Sequence, residues 1–210
     1  ILPDVGCTYL PSVTEWGDSA GVKPNRSDAR RSVMTKNHDA AHGPLQGIKV
    51  LDLSVMISGP LAAMMLADQG ADVIKVEKPD GGDDARAWGP PFGPDGETSL
   101  YFHGQNRNKR SITLDLKKPE DVEALHKLVE TADVLIQNLR PGVVDEIGIG
   151  PEAMLKRHPR LVYCSIWAFG YEGPMRLNPG FDPLLQAYGG MMSVTGRPED
   201  PPTFCGASIN

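Results

Sequence analysis

No apolar run in this sequence approaches the roughly 20 residues that a bilayer-spanning helix needs. The longest candidates, such as Pro60–Ala67, have the length of a buried helix segment. A basic excess is also missing: Lys and Arg total 21 against 27 Asp and Glu, a net charge of -6. That balance excludes a general nucleic-acid binder, which needs cations to neutralise phosphates. The three cysteines, Cys7, Cys164 and Cys205, are far apart and form no CxxC pair. They read as ordinary thiols of a reducing compartment: the cytoplasm, or a mitochondrial or peroxisomal interior if the source is eukaryotic. His38, His42, His103, His126 and His158 form no HExxH or HxH cluster, so no metal site is expected. Neither GxGxxG nor GxxxxGK[ST] occurs, which leaves nicotinamide and nucleoside-triphosphate readings without a motif.

Residues 1–44 are rich in Gly, Pro, Ser, Asn, Asp and Arg without a sustained apolar period. They are expected to be a disordered or extraneous leader, with no signal peptide and with Met34 as a natural start. Regular patterning begins at Leu45. Ile48–Leu53 reads as a buried strand, Pro60 to about Gln69 as a helix with Pro60 in first position, and Asp72–Val76 as a second strand. Strand, helix and strand within about 30 residues make a βαβ unit with a right-handed crossover. The alternation continues with a strand at Ser111–Leu116, an amphipathic helix at Pro119–Thr131 and a strand at Val134–Gln137. Short helices from Pro141 and Pro151 and a strand at Leu161–Ser165 complete it. The expected fold is an α/β, Rossmann-like, mainly parallel sheet over residues 45–210. Ligands of such sheets sit at the carboxyl ends of the strands: Leu53–Ser58, Glu77–Asp84, Lys117 and Asn138–Arg140.

The strongest local feature is the run Pro179–Gly190, PGFDPLLQAYGG. Pro183 suits the first position of a short helix, which puts Asp182 at its N-cap. Capping alone would account for an aspartate there. A helix N-terminus also stabilises a carboxylate by roughly 0.3–1 kcal/mol, keeping it ionised and able to attack a carbonyl.

Eight blocks occur in order from Pro44 onward: PLQGIKVLDLS, GP, GADVIKVEKP, GDDARAWGPPF, NRNKRSITLDLK, ADVLIQNLRPG, PRLVYCSI and GFDPLLQAYGGMMSVTG. Together they resemble the family III CoA-transferases, the CaiB–BaiF group, and GDDARAWGPPF looks like members using succinyl-CoA and dicarboxylates. The resemblance implies that coenzyme A moves between an acyl-CoA and a free carboxylic acid, with CoA as substrate and no metal. Asp182 matches the family's nucleophile. It would form a mixed anhydride and then an aspartyl-CoA thioester, and thioester-for-thioester exchange needs no ATP. The family's CoA contacts match Val55, Met56, Ile57 and Ser58, then Lys78, then Leu114, Asp115 and Lys117, and finally Asn138, Leu139 and Arg140. Lys78, Lys117 and Arg140 suit the phosphates of CoA; any one alone would read as a solvated surface charge, and their place at matching strand ends favours the ligand.

Some relatives carry His and Gln where this chain has Val55 and Ile57, a Lys or Gly at Trp167, and an Arg at Glu146. Those departures bear on the acyl pocket and leave the nucleophile alone. The resemblance further implies an interlocked homodimer of chains about twice this length, with a second domain, so that the sequence reads as an N-terminal half. Two other readings stay open: an acyl-CoA racemase of the same fold, and an inactive truncated product. Racemases have a GHD-type block; Phe181 stands here in place of that His, which favours transfer.

Overall fold

The computed structural model describes residues 43–206 and the backbone of Thr8–Tyr9. The other residues of the expected leader, with Met34, Cys7, His38 and His42, lie outside the described residues. A six-stranded sheet organises the chain: β1 (Thr8–Tyr9), β2 (Lys49–Asp52), β3 (Asp72–Glu77), β4 (Lys109–Thr113), β5 (Val134–Gln137) and β6 (Val162–Ser165), in the order β1-β4-β3-β2-β5-β6. All neighbours are parallel except β1, which pairs antiparallel with Arg110 and Ser111. The expected α/β, mainly parallel architecture is the one observed.

Helices cover both faces. α1 (Ser58–Asp68), α2 (Leu100–Asn106), α3 (Pro119–Val129), α4 (Val143–Glu146), α5 (Pro151–Arg157) and α6 (Asp182–Tyr188) are joined by 3-10 turns at Asp84–Ala87 and Met191–Ser193. Alternate residues of β2, β3 and β5 serve opposite cores. Leu51, Val76, Ile112 and Leu135 pack with Leu125 and Val129 of α3 and Met154 of α5. Val50, Val73 and Ile136 pack on the other side with Ala63 and Ala67 of α1. Strands buried on both faces are continuously apolar, which is why their sequences carry no alternation. Each fully buried Leu, Ile or Val contributes roughly 1.5–3 kcal/mol.

Several expected boundaries move. α1 begins at Ser58, so Pro60 is its third residue, still within the first turn, where no backbone N–H partner is needed. β4 starts at Lys109 rather than Ser111, because its pairing with β3 runs from Val73–Lys109 to Glu77–Thr113. The helix expected from Pro141 starts at Val143, behind Gly142, whose φ is +93°. α2 was not expected at all. Its N-cap Ser99 accepts a hydrogen bond from Tyr101 N–H.

Candidate active site

The strand order reverses between β2 and β5: β3 and β4 lie on one side of β2, β6 on the far side of β5. The crevice beyond the carboxyl ends of β2 and β5 is therefore the natural ligand position. Asn138, just past β5, bridges it. Its Oδ1 accepts from Val55 N–H at 2.8 Å and its Nδ2 donates to Val55 O at 2.7 Å. The side chain thus mimics one more rung of parallel sheet and holds the loop after β2 against the loop after β5.

Beneath that loop lies a buried ionic cluster. Asp52, Lys75, Asp83 and Lys109 are each 2% exposed or less. Lys109 Nζ donates at 2.8 Å to Asp52 Oδ2, to Pro60 O and to Asn106 Oδ1, using all three of its hydrogens. Lys75 Nζ donates to Ser54 O at 2.8 Å, lies 2.9 Å from Asp83 Oδ2 and is 4.0 Å from Asp52 Oδ2. Asp52 also accepts from the Ser54 hydroxyl and N–H. Burial works to raise the Asp52 carboxyl, but Lys75 and Lys109 outweigh it and hold the group below its ordinary value. Burial pushes the Lys109 ammonium down to about 8, against the pull of Asp52.

This cluster shapes the loop. Asp83 accepts from Met56 N–H at 3.1 Å and caps the 3-10 turn through Ala85 N–H. Met56 is thereby held at φ +71°, a conformation costing a non-glycine residue roughly 1–3 kcal/mol. Close packing below completes the turn into α1: a Cβ at Gly59 would collide with the Ser54 side chain. Ile57 is the N-cap of α1 without a side-chain cap, and Ser58 opens the helix. Glu77, at the end of β3, forms a bidentate pair with Arg86 (2.7 Å to each oxygen) and accepts from Ser111 and from Asp83 N–H. Burial would raise its carboxyl, yet these donors bring it down to about 2.

The remaining expected CoA contacts ring the same edge. Lys78 is exposed and paired with Asp84, whose hydrogen bond raises the lysine's pKa. Leu114 is buried, its N–H on Glu77 O. Asp115 accepts from Lys117 N–H, and Lys117 is exposed. Arg140 is exposed beyond Leu139, whose carbonyl accepts from Trp167 Nε1–H at 2.7 Å. Trp167, left without a role by the sequence, therefore ties the loop after β6 to the loop after β5. It also stacks on Tyr171, with centroids 5.2 Å apart. Glu146 is exposed at the end of α4.

Asp182 opens α6. The residue expected to cap that helix is its first helical residue instead. Phe181 holds the cap position in extended conformation, and no side chain caps the helix. The carboxylate of Asp182 turns along the helix to Gln186, whose Nε2 donates to Oδ2 at 2.7 Å. Both residues are buried, at 6% and 3% exposure. The block packs on the loop after β6 through Gly180, where a Cβ would strike Ala168, the residue after Trp167. A continuous path of contacts thus runs from Val55 through Asn138, Leu139, Trp167 and Ala168 to the Asp182 helix.

Sequence reasoning did not single out Lys75, Asp83, Lys109 or Gln186. A lysine inside the apolar run DVIKV was the available signal for the first; the others offered none.

The family model described as CoA-transferase family III matches residues 45–210. The chain is 47% identical over 170 residues to a succinate–glutarate CoA-transferase of Agrobacterium fabrum, covering 79% of this chain and 42% of that protein. It is 41% identical over 166 residues to the human succinyl-CoA:glutarate CoA-transferase, covering 79% and 37%. Among solved structures it resembles a CaiB/BaiF family protein from Brucella suis, with a TM-score of 0.76, 45% identity and coverage of 79% and 44%. The chain spans about two fifths of the length of the curated relatives it matches.

Proposed function

From the premise that the chain belongs to CoA-transferase family III, we propose that its site serves transfer of coenzyme A from a short acyl-CoA, succinyl-CoA foremost, to a free carboxylic acid. The names of similar proteins support the donor: succinyl-CoA:glutarate and succinyl-CoA:mesaconate CoA-transferases among them.

Asp182 is the nucleophile in this reading. A carboxylate oxygen attacks the thioester carbonyl carbon, the C–S bond breaks, and CoA thiolate leaves a mixed anhydride behind. The thiolate attacks the aspartyl carbonyl carbon and expels the donor acid, giving an aspartyl-CoA thioester. The acceptor carboxylate attacks that thioester and frees the thiolate again. The thiolate then attacks the acceptor's acyl carbon, and the Asp182 carboxylate is restored. One difficult exchange becomes several easier ones, and the thioester count is unchanged. The loop Val55–Ser58, with Leu114, Asp115, Asn138 and Leu139, would line the pantetheine path, and Lys78, Lys117 and Arg140 would meet the phosphates. The complete protein acts as a homodimer in this reading.

The observation that carries the proposal is the buried carboxylate of Asp182, tied by packing to the switch-point crevice. Asp182→Asn in the complete protein should lower transfer by more than roughly 10³-fold with the fold intact. Wild-type protein incubated with acyl-CoA should carry a hydroxylamine-releasable adduct on Asp182. Retention of most turnover by the Asn variant would refute the assignment. A racemase instead needs an acid–base pair flanking the α-carbon. Incorporation of α-deuterium without CoA transfer would establish that activity in place of this one.

A further inference from the structure

Gln186 lies one helical turn after Asp182, on the same face of α6, as i and i+4 residues do. Its amide orientation is fixed from outside the helix. Oε1 accepts from Cys205 N–H at 2.9 Å, a contact only the oxygen end can make. Nε2 is thereby the end presented to Asp182 Oδ2 at 2.7 Å, with a longer contact to Cys205 O at 3.3 Å. An amide buried at 3% exposure and held at both ends cannot rotate without stranding a backbone group.

We propose that Gln186 is a further catalytic residue, the hydrogen-bond donor that stabilises the oxyanion formed at the Asp182 carbonyl. The inference rests on Asp182 being the nucleophile. The oxygen bonded by Gln186 remains as the aspartyl carbonyl oxygen in both the anhydride and the thioester, while the other oxygen forms the new bond. When thiolate or acceptor carboxylate adds to the aspartyl carbon, the C=O π electrons move onto that oxygen. They return as the leaving group departs with its own electron pair. A donor already at 2.7 Å and already oriented loses no reorganisation energy at that moment. Losing one such donor costs on the order of 10²–10³-fold in kcat.

The test uses the complete enzyme in three variants. Gln186→Met keeps the length and removes the donor: kcat should fall on the order of 10²-fold with KM for acyl-CoA within about threefold. Gln186→Glu can donate only while protonated. Two neighbouring carboxyls favour holding a proton between them, and its loss as pH rises should bring a decline in transfer that the wild-type enzyme lacks. A purely structural glutamine would not produce that new limb. Asp182→Asn runs alongside. If it is inactive while the Glu variant follows the wild-type pH profile, the Gln186 proposal fails alone. Wild-type-like kcat in Gln186→Met has the same meaning, and keeps the test decisive if the Glu variant does not fold. If Asp182→Asn retains turnover, both readings fall.

Discussion

Replacing Lys109 by Met removes one of the two ammonium groups of the buried cluster. The side chains are similar in length, so little volume changes and the loss is electrostatic. Asp52 would keep its Ser54 donors, but its nearest cation among the described residues would be Lys75, 4.0 Å away and already engaged by Asp83 at 2.9 Å. Pro60 O and Asn106 Oδ1 would each lose a 2.8 Å donor inside the protein. Breaking a buried pair by deleting one partner typically costs about 3–5 kcal/mol, because an uncompensated charge is left behind. Urea unfolding of the complete protein should show that loss as a lower midpoint at unchanged slope. Two further measurements separate charge from packing. The deficit should shrink as pH falls, since a lone buried Asp52 would be neutralised by protonation. Adding Asp52→Asn should then recover part of the stability, a positive coupling in a double-mutant cycle. A Lys109→Met protein within about 1 kcal/mol of wild type, or a double variant as unstable as the summed singles, would refute the argument.

The acid response should have a second source. Glu77 is held at about 2 against an ordinary 4.5, so its stabilisation is complete above pH 4.5 and is lost as pH falls toward 2. That depression corresponds to roughly 3 kcal/mol. Glu77→Gln should flatten the stability profile between pH 5 and 3 in urea titrations, and an unchanged slope there would contradict the pairing with Arg86. Asn138→Ala should release both bonds to Val55 and raise KM for acyl-CoA by roughly tenfold, the effect of about 1.4 kcal/mol. Asn138→Asp should be no better, since a carboxylate cannot donate to Val55 O; equal KM in all three proteins would show that the clamp does not shape the loop.

The central parallel strands were legible because burial on both faces makes Ile48–Leu53, Asp72–Val76 and Val134–Gln137 largely apolar runs, and the edge strand at Leu161–Ser165 was legible from its β-rich composition. The amphipathic helix at Pro119–Thr131 was legible from its period. Lys109 was not placed in β4, because a charged residue reads as a strand's outer limit. Its ammonium is nevertheless fully buried, bonded by partners 57, 49 and 3 residues away in sequence. α2 escaped for a related reason: LYFHGQN is short and mixed, with a glycine inside, and its Phe102 is buried beneath the Arg86 guanidinium. The crevice position was readable from strand ends alone. What could not be read was which side chains there hold the loops to one another. Asn138 is the clearest case, an expected ligand contact whose amide is engaged on both sides by Val55.

Two aspartates and two lysines packed together carry no net charge, so the field of the Asp52–Lys75–Asp83–Lys109 group cancels within a few ångströms of itself. Dissolved salt reaches neither the group nor its effect, since counterions screen charges that face water and leave sealed ones alone. Ionic strength should therefore act on two properties of this molecule very differently. The stability conferred by the quartet should be almost indifferent to added sodium chloride. Under the proposed function, capture of a phosphate-bearing ligand by a chain of net charge -6 would rest instead on the solvent-facing Lys78, Lys117 and Arg140, and should weaken steadily as salt is raised.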